Sequence, residues 1–531
     1  MLTVQAGGDM SMPRGTVVLA LIGSLSAAPA AAASGGLAEK VRAWRRAHQA
    51  AILREFADFL ALPNLASDGE SIRRNAAHIV GMLERRGVRA RLLEAGGGPP
   101  AVYGELLAPG AERTILVYAH YDGQPVDPAR WTSPPWTPVL LDRSRPERGR
   151  EIALADAAAL GDEGWLYARS ASDDKAPVLG WLVALDALRA QGRRPSVNLK
   201  FLFEGEEEAG SDHMEALLAA HGELLRSDLF VLCDGPVHPS RRMQLYFGAR
   251  GVTGVEITVY GPARALHSGH YGNWAPNPGV LLAHLVASLR DADGRILVPG
   301  FYDDVRPLTP AEKEALARAP DVDAELRDEL ALATSEAGGA RLAERIMLPA
   351  LNLRGLESGR VGAAAANAIP SEARASIDFR LVPDQTPGKV RDRFEAHLRA
   401  LGWHLVSAPP DAATRRAHPR VAKLEWAMGY PSSRTALDLP IARVLAQVIE
   451  QTTGQPPVQV PTLGGSVPMH LFSGMLKVPV VGVPIANHDN NQHAADENIR
   501  LRNLWDGIEV YAGLLDRLGQ VWLPVRPAPR R

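Results

Sequence analysis

One cysteine, Cys233, stands in a chain of 531 residues, so no disulfide can form within it and stability must come from packed cores. Net charge is also nearly absent. Lysine plus arginine number 58 against 60 acidic residues, a formal charge of -2, which removes any electrostatic case for nucleic acid or an anionic membrane as partner. Beyond the N-terminus no apolar run reaches the roughly 18 residues of a membrane-spanning helix. Several signatures are missing as well: a Gly-x-Gly-x-x-Gly after a strand, a Walker loop, a His-Glu-x-x-His helix and a Gly-x-Ser-x-Gly elbow. Dinucleotide, P-loop, single-zinc and serine-hydrolase chemistry therefore lack their usual carriers.

What is present is length, with 49 glycines and 41 prolines, enough for two or more cores joined by many turns. At the N-terminus Arg14 precedes the apolar stretch Thr16 to Ser26 and the small-residue segment AAPAAAAS. Residues 1–33 read as a secretory signal cleaved near Ala33, which predicts an exported, periplasmic or secreted protein with no membrane span once the signal is removed. An uncleaved anchor and a disordered leader are the alternatives.

From Leu37 to about Arg86 the apolar spacing is helical, and Val88 to Leu93, Ala101 to Leu107 and Thr114 to Ala119 read as strands. Thr114 to Ala119 runs apolar and hands directly to His120-Tyr-Asp-Gly123. A helix over Val178 to Leu188, a strand over Val197 to Phe203 and a short strand ending at Asp234 follow. Alternating strands and helices predict an α/β fold with a central mixed sheet whose polar strand ends converge on one rim. After about Arg250 the texture changes to half-exposed strands and solvated helices. We expect a first domain over 34–250 and 435–531, interrupted by a smaller inserted α+β domain over 251–434.

The chemistry concentrates at those strand ends. His120 and Asp122 alternate in extended backbone and so address one side. Asp173 and Asp174 open a helix, where a carboxylate can bridge two cations or merely cap. Glu206, Glu207 and Glu208 follow an apolar strand and precede Gly210, a context that asks for a positive partner. Asp234 ends a strand, and His488 and His493 flank a polar loop. Singly each has a bland reading as polar pair, cap, charge run or turn. Together they supply the donors of a two-metal hydrolase.

The segments AHYDGQPVDPARW, ARSASDDKAPV, FEGEEEAGS, CDG, HSGHYGN, NAIPSEARASIDFRLVPDQTP, GGSVP and NNQHAADENI occur in that order. In this the chain resembles the M20 family of metallopeptidases, in particular its carnosinase-like branch of dipeptidases and carboxypeptidases. The resemblance implies two zinc ions, replaceable by manganese or cobalt, with His120 and Asp234 holding one, Glu208 and His493 the other, and Asp173 bridging. It implies that the domain over 34–250 and 435–531 is catalytic and the inserted one over 251–434 a lid or dimerisation domain, with Glu207 as general base, Asp122 as the residue orienting the histidine, and His267 as an oxyanion donor that often reaches across a homodimer formed through the inserted domain. Arg380 would pair with the substrate carboxylate, aided by Asn273, Gly465 and Ser466 in the Gly464-Gly465-Ser466 turn. Two departures stand out. Arg169-Ser170 replaces the usual Arg-Gly, with Ala176 where glycine is common, so a reshaped bridging loop is expected. Leu463 stands where several peptidases carry glutamate, against a charged amino terminus in the substrate. The expected activity is hydrolysis of a dipeptide or short peptide with a free carboxylate. The alternatives are an N-acyl-amino-acid amidohydrolase resembling aminoacylases and a secreted peptide-binding protein without catalysis.

Overall fold

The computed structural model describes residues 36–522. The expected signal segment lies outside the described residues. Eight strands form the main sheet, in the spatial order Arg89–Leu93, Ala101–Leu106, Asn198–Glu204, Thr114–His120, Leu229–Leu232, Val480–Gly482, Gln244–Tyr246, Val458–Val460. Its middle is parallel, with Thr114–His120 between Asn198–Glu204 and Leu229–Leu232, while both flanks contain antiparallel pairs. The sheet is mixed, as expected.

The continuous apolar run of Thr114–His120 has a simple cause. Alternate residues serve different cores: Ile115, Val117 and Ala119 pack on one face with the helices Leu37–Leu60, Lys175–Ala190, Pro440–Thr453 and Leu501–Val521. Leu116 and Tyr118 pack on the other with Met214–His221 and Met469–Met475. A strand covered on both faces has no polar position to spare. Close approach matters at one neighbouring position: a Cβ on Gly482 would lie 2.1 Å from the Tyr246 ring, whose hydroxyl holds the Asp234 carbonyl at 2.6 Å.

A second sheet of five strands is drawn from residues between Gly251 and Trp426, in the order Ala350–Glu357, Glu372–Leu381, Gly251–Tyr260, Val421–Trp426, His404–Val406. Helices Pro278–Ala287 and Pro387–Ala400 contribute Leu282, Leu285, Val390, Phe394 and Leu398 to its core. The pairing of Val252 with Arg380 sets that arginine where the second sheet meets the first. Among the described residues the chain from Leu37 forms one compact unit. Ala311 and Ala315 of Pro310–Arg318 pack on the main core, and Arg434 pairs with Glu312 at 3.0 Å.

Three elements escape a reading by apolar runs. Ala350–Glu357 is exposed along most of its length and Val421–Trp426 mixes charge with apolar residues. Leu501–Val521 is almost entirely buried yet interrupted by charge. Glu509 is buried against Arg42 and Arg45, and Asp516 against Arg193, so those interruptions are internal ion pairs.

Candidate metal centre

The three parallel strands in the middle of the main sheet end together. His120 is level with Glu204, and beyond the strands lie the turn Glu207–Ala209 and Asp234. The glutamate turn closes at Gly210, whose φ of 106° suits glycine. Asp122 ties the rim together. One of its oxygens lies 3.4 Å from His120 Nδ1, and its two oxygens accept hydrogen bonds from the Glu207 and Glu208 amides at 3.1 and 3.0 Å. A fully buried carboxylate thus orients the imidazole and clamps the glutamate backbone.

Asp173 reaches into the same space from the loop before Lys175–Ala190. Its Oδ1 is 2.9 Å from His120 Nε2, and its Oδ2 is 3.1 Å from His493 Nε2. Glu208 Oε2 lies 3.3 Å from that His493 nitrogen and accepts a 2.7 Å bond from Gln124. Donor atoms of His120, Asp173 and Glu208 all lie within 4.8 Å of one another, and so do those of His120, Glu207 and Asp234. Two clustered sets sharing His120 are consistent with a dinuclear metal centre. Glu206 turns elsewhere and accepts a 2.7 Å bond from His213 Nδ1.

Electrostatics supports a fit to cations. Burial, with Asp234, Glu208 and Asp173 close by, pushes the Glu207 carboxyl well above its usual range. Burial and Asp173 push Glu208 up to about 8, and burial and Asp173 push Asp234 up to about 6. Asp173 is held low despite burial because His120 and His493 both face it; in turn Asp122 and Asp173 raise His120 despite its burial, and Asp173 raises His493. Asp173 Oδ2 nevertheless makes no well-aligned hydrogen bond although it is shielded from water. Imidazole and carboxylate donors crowded in this way match divalent transition ions of the zinc type.

The residue that holds the bridging loop is Glu497, which the motif NNQHAADENI contains but which sequence reasoning does not assign. Fully buried, it accepts bonds from Arg169 Nη1 at 2.7 Å, from the amides of Ser170, Ser172 and Asp173 at 2.8, 3.0 and 3.0 Å, and from Ser172 Oγ at 2.9 Å. Ser170, at the position of the expected glycine, has a φ of 62°. Its left-handed backbone is stabilised by Glu497 at its amide and by Asn64, which donates to its hydroxyl at 2.8 Å. Serine therefore occupies the turn that glycine would enter without strain.

Arg380 meets the Gly464-Gly465-Ser466 turn: its Nη1 donates to Ser466 Oγ at 2.9 Å and its Nε to Asp378 at 3.0 Å. Arg250, also unassigned by sequence reasoning, donates from Nε to the Gly464 carbonyl at 2.8 Å and from its amide to Gly465 at 3.2 Å. Burial and the neighbouring Arg380 charge push its guanidinium down to about 10. Two guanidiniums side by side favour an anion. Tyr430 is pushed up by burial and by Glu207 while Arg380 acts in the opposite sense, so its phenol is near both the acidic cluster and Arg380. His267 and Asn273 are exposed, and among the described residues no hydrogen bond or ion pair joins them to the cluster.

Mixed sheet, second sheet and clustered donors define an α/β metallohydrolase. The family model for Peptidase family M20/M25/M40 matches residues 116–517, and the chain belongs to that family of enzymes. It is 28% identical over 437 residues to the Cys-Gly metallodipeptidase of Schizosaccharomyces pombe, covering 80% of this chain and 83% of the relative. To the human Beta-Ala-His dipeptidase it is 26% identical over 434 residues, covering 80% and 78%. Among solved structures, an M20 family metallo-carboxypeptidase from Sulfolobus solfataricus superposes with a TM-score of 0.71 at 28% identity, over 88% of this chain and 99% of that one. Human carnosine dipeptidase 1 shares the fold, with a TM-score of 0.73 at 24% identity over 92% and 99%.

Two outcomes test this geometry. Glu497→Ala strands Arg169 and the loop amides, and urea unfolding should show a loss of about 3–5 kcal/mol. Calorimetric metal affinity should fall by about 10- to 100-fold; an unchanged affinity would separate Glu497 from the site. In the chelated protein, Glu208 binds its proton more tightly folded than unfolded, so stability is lost as pH rises from about 4.5 to about 8. The raised histidines act in the same direction. Melting curves should therefore show the stabilisation by added zinc growing with pH, and a flat difference would contradict the buried-acid account.

Proposed function

We propose that the protein is a zinc-dependent exopeptidase that hydrolyses the amide bond of dipeptides or short peptides bearing a free C-terminal carboxylate. The observation that carries this reading is the presence of an acidic, cation-binding cluster together with a guanidinium pair at the Gly464-Gly465-Ser466 turn, with Tyr430 near both. A peptide with its carboxylate at Arg380 and Ser466 would present its amide to the cluster. The names of the dipeptidase and carboxypeptidase relatives point the same way.

His120 and Asp234, and Glu208 and His493, with Asp173 between, are the residues that would hold two zinc ions, with manganese or cobalt as substitutes. Such ions, when bound, supply Lewis-acid polarisation of the carbonyl and acidification of a water. Glu207 takes the proton of the attacking water and delivers it to the departing amine, a role suited to a carboxyl whose pKa is raised by burial. Asp122 fixes His120 and the Glu207 backbone so that neither has to reorganise. Arg380, with Ser466, Gly465 and Asn273, orients the carboxylate, and His267 donates to the oxygen on which charge develops.

Hydrolysis of N-acyl amino acids is the second reading, favoured by Leu463, which offers no charge to an ammonium group. A homodimer through the second sheet would bring His267 to a partner's site. Supporting it, residues 352–368 are exposed throughout and Trp274, Leu356 and Val361 stand 80%, 55% and 89% exposed nearby in the same part of the chain. Export follows from the N-terminal pattern.

Glu207→Gln should reduce kcat by at least about 100-fold while two zinc ions still bind. Near-normal turnover in that zinc-loaded variant would remove Glu207 from the mechanism. Light scattering should return twice the chain mass of 57.0 kDa less the mass of the cleaved leader, and N-terminal sequencing should begin near Ser34. A monomer, or an intact Met1, would overturn the corresponding reading.

A further inference from the structure

Next to the anion-binding turn the structure contains a cavity of about 180 Å3 with mainly apolar walls. Leu316, Leu326, Ile346 and Met347 of the 310–347 segment face Pro236 and Leu463 across it. For scale, an apolar cavity of about 150 Å3 admits a benzene ring. The cavity adjoins both halves of the site. Pro236 lies two residues after Asp234, and a Cβ on the intervening Gly235 would meet Leu463 Cδ2 at 3.4 Å. On its other side, a Cβ on Gly464 would meet Ile346 Cδ1 at 3.2 Å, one residue before Gly465 and Ser466.

Most polar groups at its walls already have partners, with Thr462 Oγ1 and Arg341 Nε buried without a hydrogen bond. Arg341 donates to the carbonyls of Leu316, Ala319 and Pro320, and Asp323 accepts from the Leu342 amide. His488 faces Glu329 at 3.5 Å, and His238, bonded to Ser240, is pushed down to about 4 by burial and so is neutral. A charged group entering here would lose water among mainly apolar walls, whereas an apolar group would bury its surface at no such penalty.

Building on the exopeptidase reading, we infer that this cavity receives a branched or aromatic apolar group on the acyl side of the scissile amide. With the carboxylate at Ser466 and Arg380 and the carbonyl at the acids, the acyl portion extends past Asp234, and the chain from Asp234 through Gly235 forms the cavity wall at Pro236 and Val237. Two sources offer that chemistry: the side chain of an N-terminal Leu or Phe, and an N-acyl chain. The 310–347 segment is therefore a specificity element, selecting against substrates with a small or charged acyl-side residue.

The test uses the full, zinc-loaded protein and a series X-Gly with X as Gly, Ala, Leu, Phe, Asp or Lys, beside acetyl-, hexanoyl- and benzoyl-glycine. Expected is a kcat/KM for Leu or Phe, or for hexanoyl or benzoyl, at least about tenfold above the Gly or acetyl member. The series with the higher values identifies the source. Leu326→Trp, which narrows the cavity, should bring that ratio toward one, and Met347→Ala should shift the preference to a larger group. Calorimetric binding of Phe-Gly and Gly-Gly to the Glu207→Gln protein gives the same comparison without turnover. Equal values across the series, a preference for Asp or Lys, or ratios untouched by both variants would overturn the cavity's role while leaving the exopeptidase reading in place. Failure to hydrolyse any amide would overturn that reading instead, and the binding comparison would then decide the cavity by itself.

Discussion

Everything at the rim of the main sheet depends on one electrostatic conflict: carboxylates brought side by side in a region closed to water. Burial raises the carboxyls of Glu207, Glu208 and Asp234, Asp173 adds to all three shifts, and Asp234 and Glu208 add to that of Glu207. Such an arrangement is unstable by itself and becomes favourable once positive charge enters. Strands covered on both faces create it, since they deliver polar residues only where the apolar run stops. The family's chemistry therefore grows from the same alternation that fills two cores with Ile115, Val117 and Ala119 on one side and Leu116 and Tyr118 on the other.

That origin explains what was legible in the sequence. A fully apolar strand followed by His120, or by the glutamate turn, or by Asp234, marks both a central strand and its functional end, so the mixed sheet and the clustered donors could be read together. Residues that work through a partner distant in sequence leave no such mark. Glu497 binds a loop more than 300 residues away, and its neighbours Asp496 and Asn498 look no different in the chain. Arg250 resembles any boundary arginine until the Gly464-Gly465-Ser466 turn is folded against it. Leu501–Val521 was obscured for a related reason, because Glu509 and Asp516 read as solvent-facing until Arg42, Arg45 and Arg193 are placed beside them. The exposed edge strand Ala350–Glu357 alternates only over Leu351-Asn352-Leu353-Arg354, too short a stretch to mark a half-buried strand, and of these residues only Leu351 is buried.

The departure at Ser170 shows the same dependence from the other direction. A left-handed serine is locally unfavourable by about 1 kcal/mol or more, and local sequence alone would predict a different turn. Glu497 reverses that expectation by accepting the Ser170 amide together with those of Ser172 and Asp173. One buried carboxylate thus decides a backbone conformation that glycine would otherwise have to supply. Because Glu497 also follows the His493 loop, it holds Asp173 and His493 in a common frame, linking loops from the two ends of the main sheet's sequence.

The junction between the two sheets extends that logic from metal donors to substrate. Val252 pairs with Arg380 inside the second sheet, while Arg250, two residues earlier, is bonded to the turn at Gly464. The guanidinium pair is consequently built across the junction, with one arginine at each side of Gly251, whose carbonyl accepts from Ser466 Oγ. Any relative rotation of the sheets must either separate Arg380 from Ser466 or bend this short link. The anion-binding geometry therefore depends on how the sheets sit together, whereas His120, Asp122, Glu207, Glu208 and Asp234 all belong to the first sheet's rim. In the proposed exopeptidase, metal binding and carboxylate recognition would thus be separated structurally: the first is set by the strand rim, the second by the junction between the sheets.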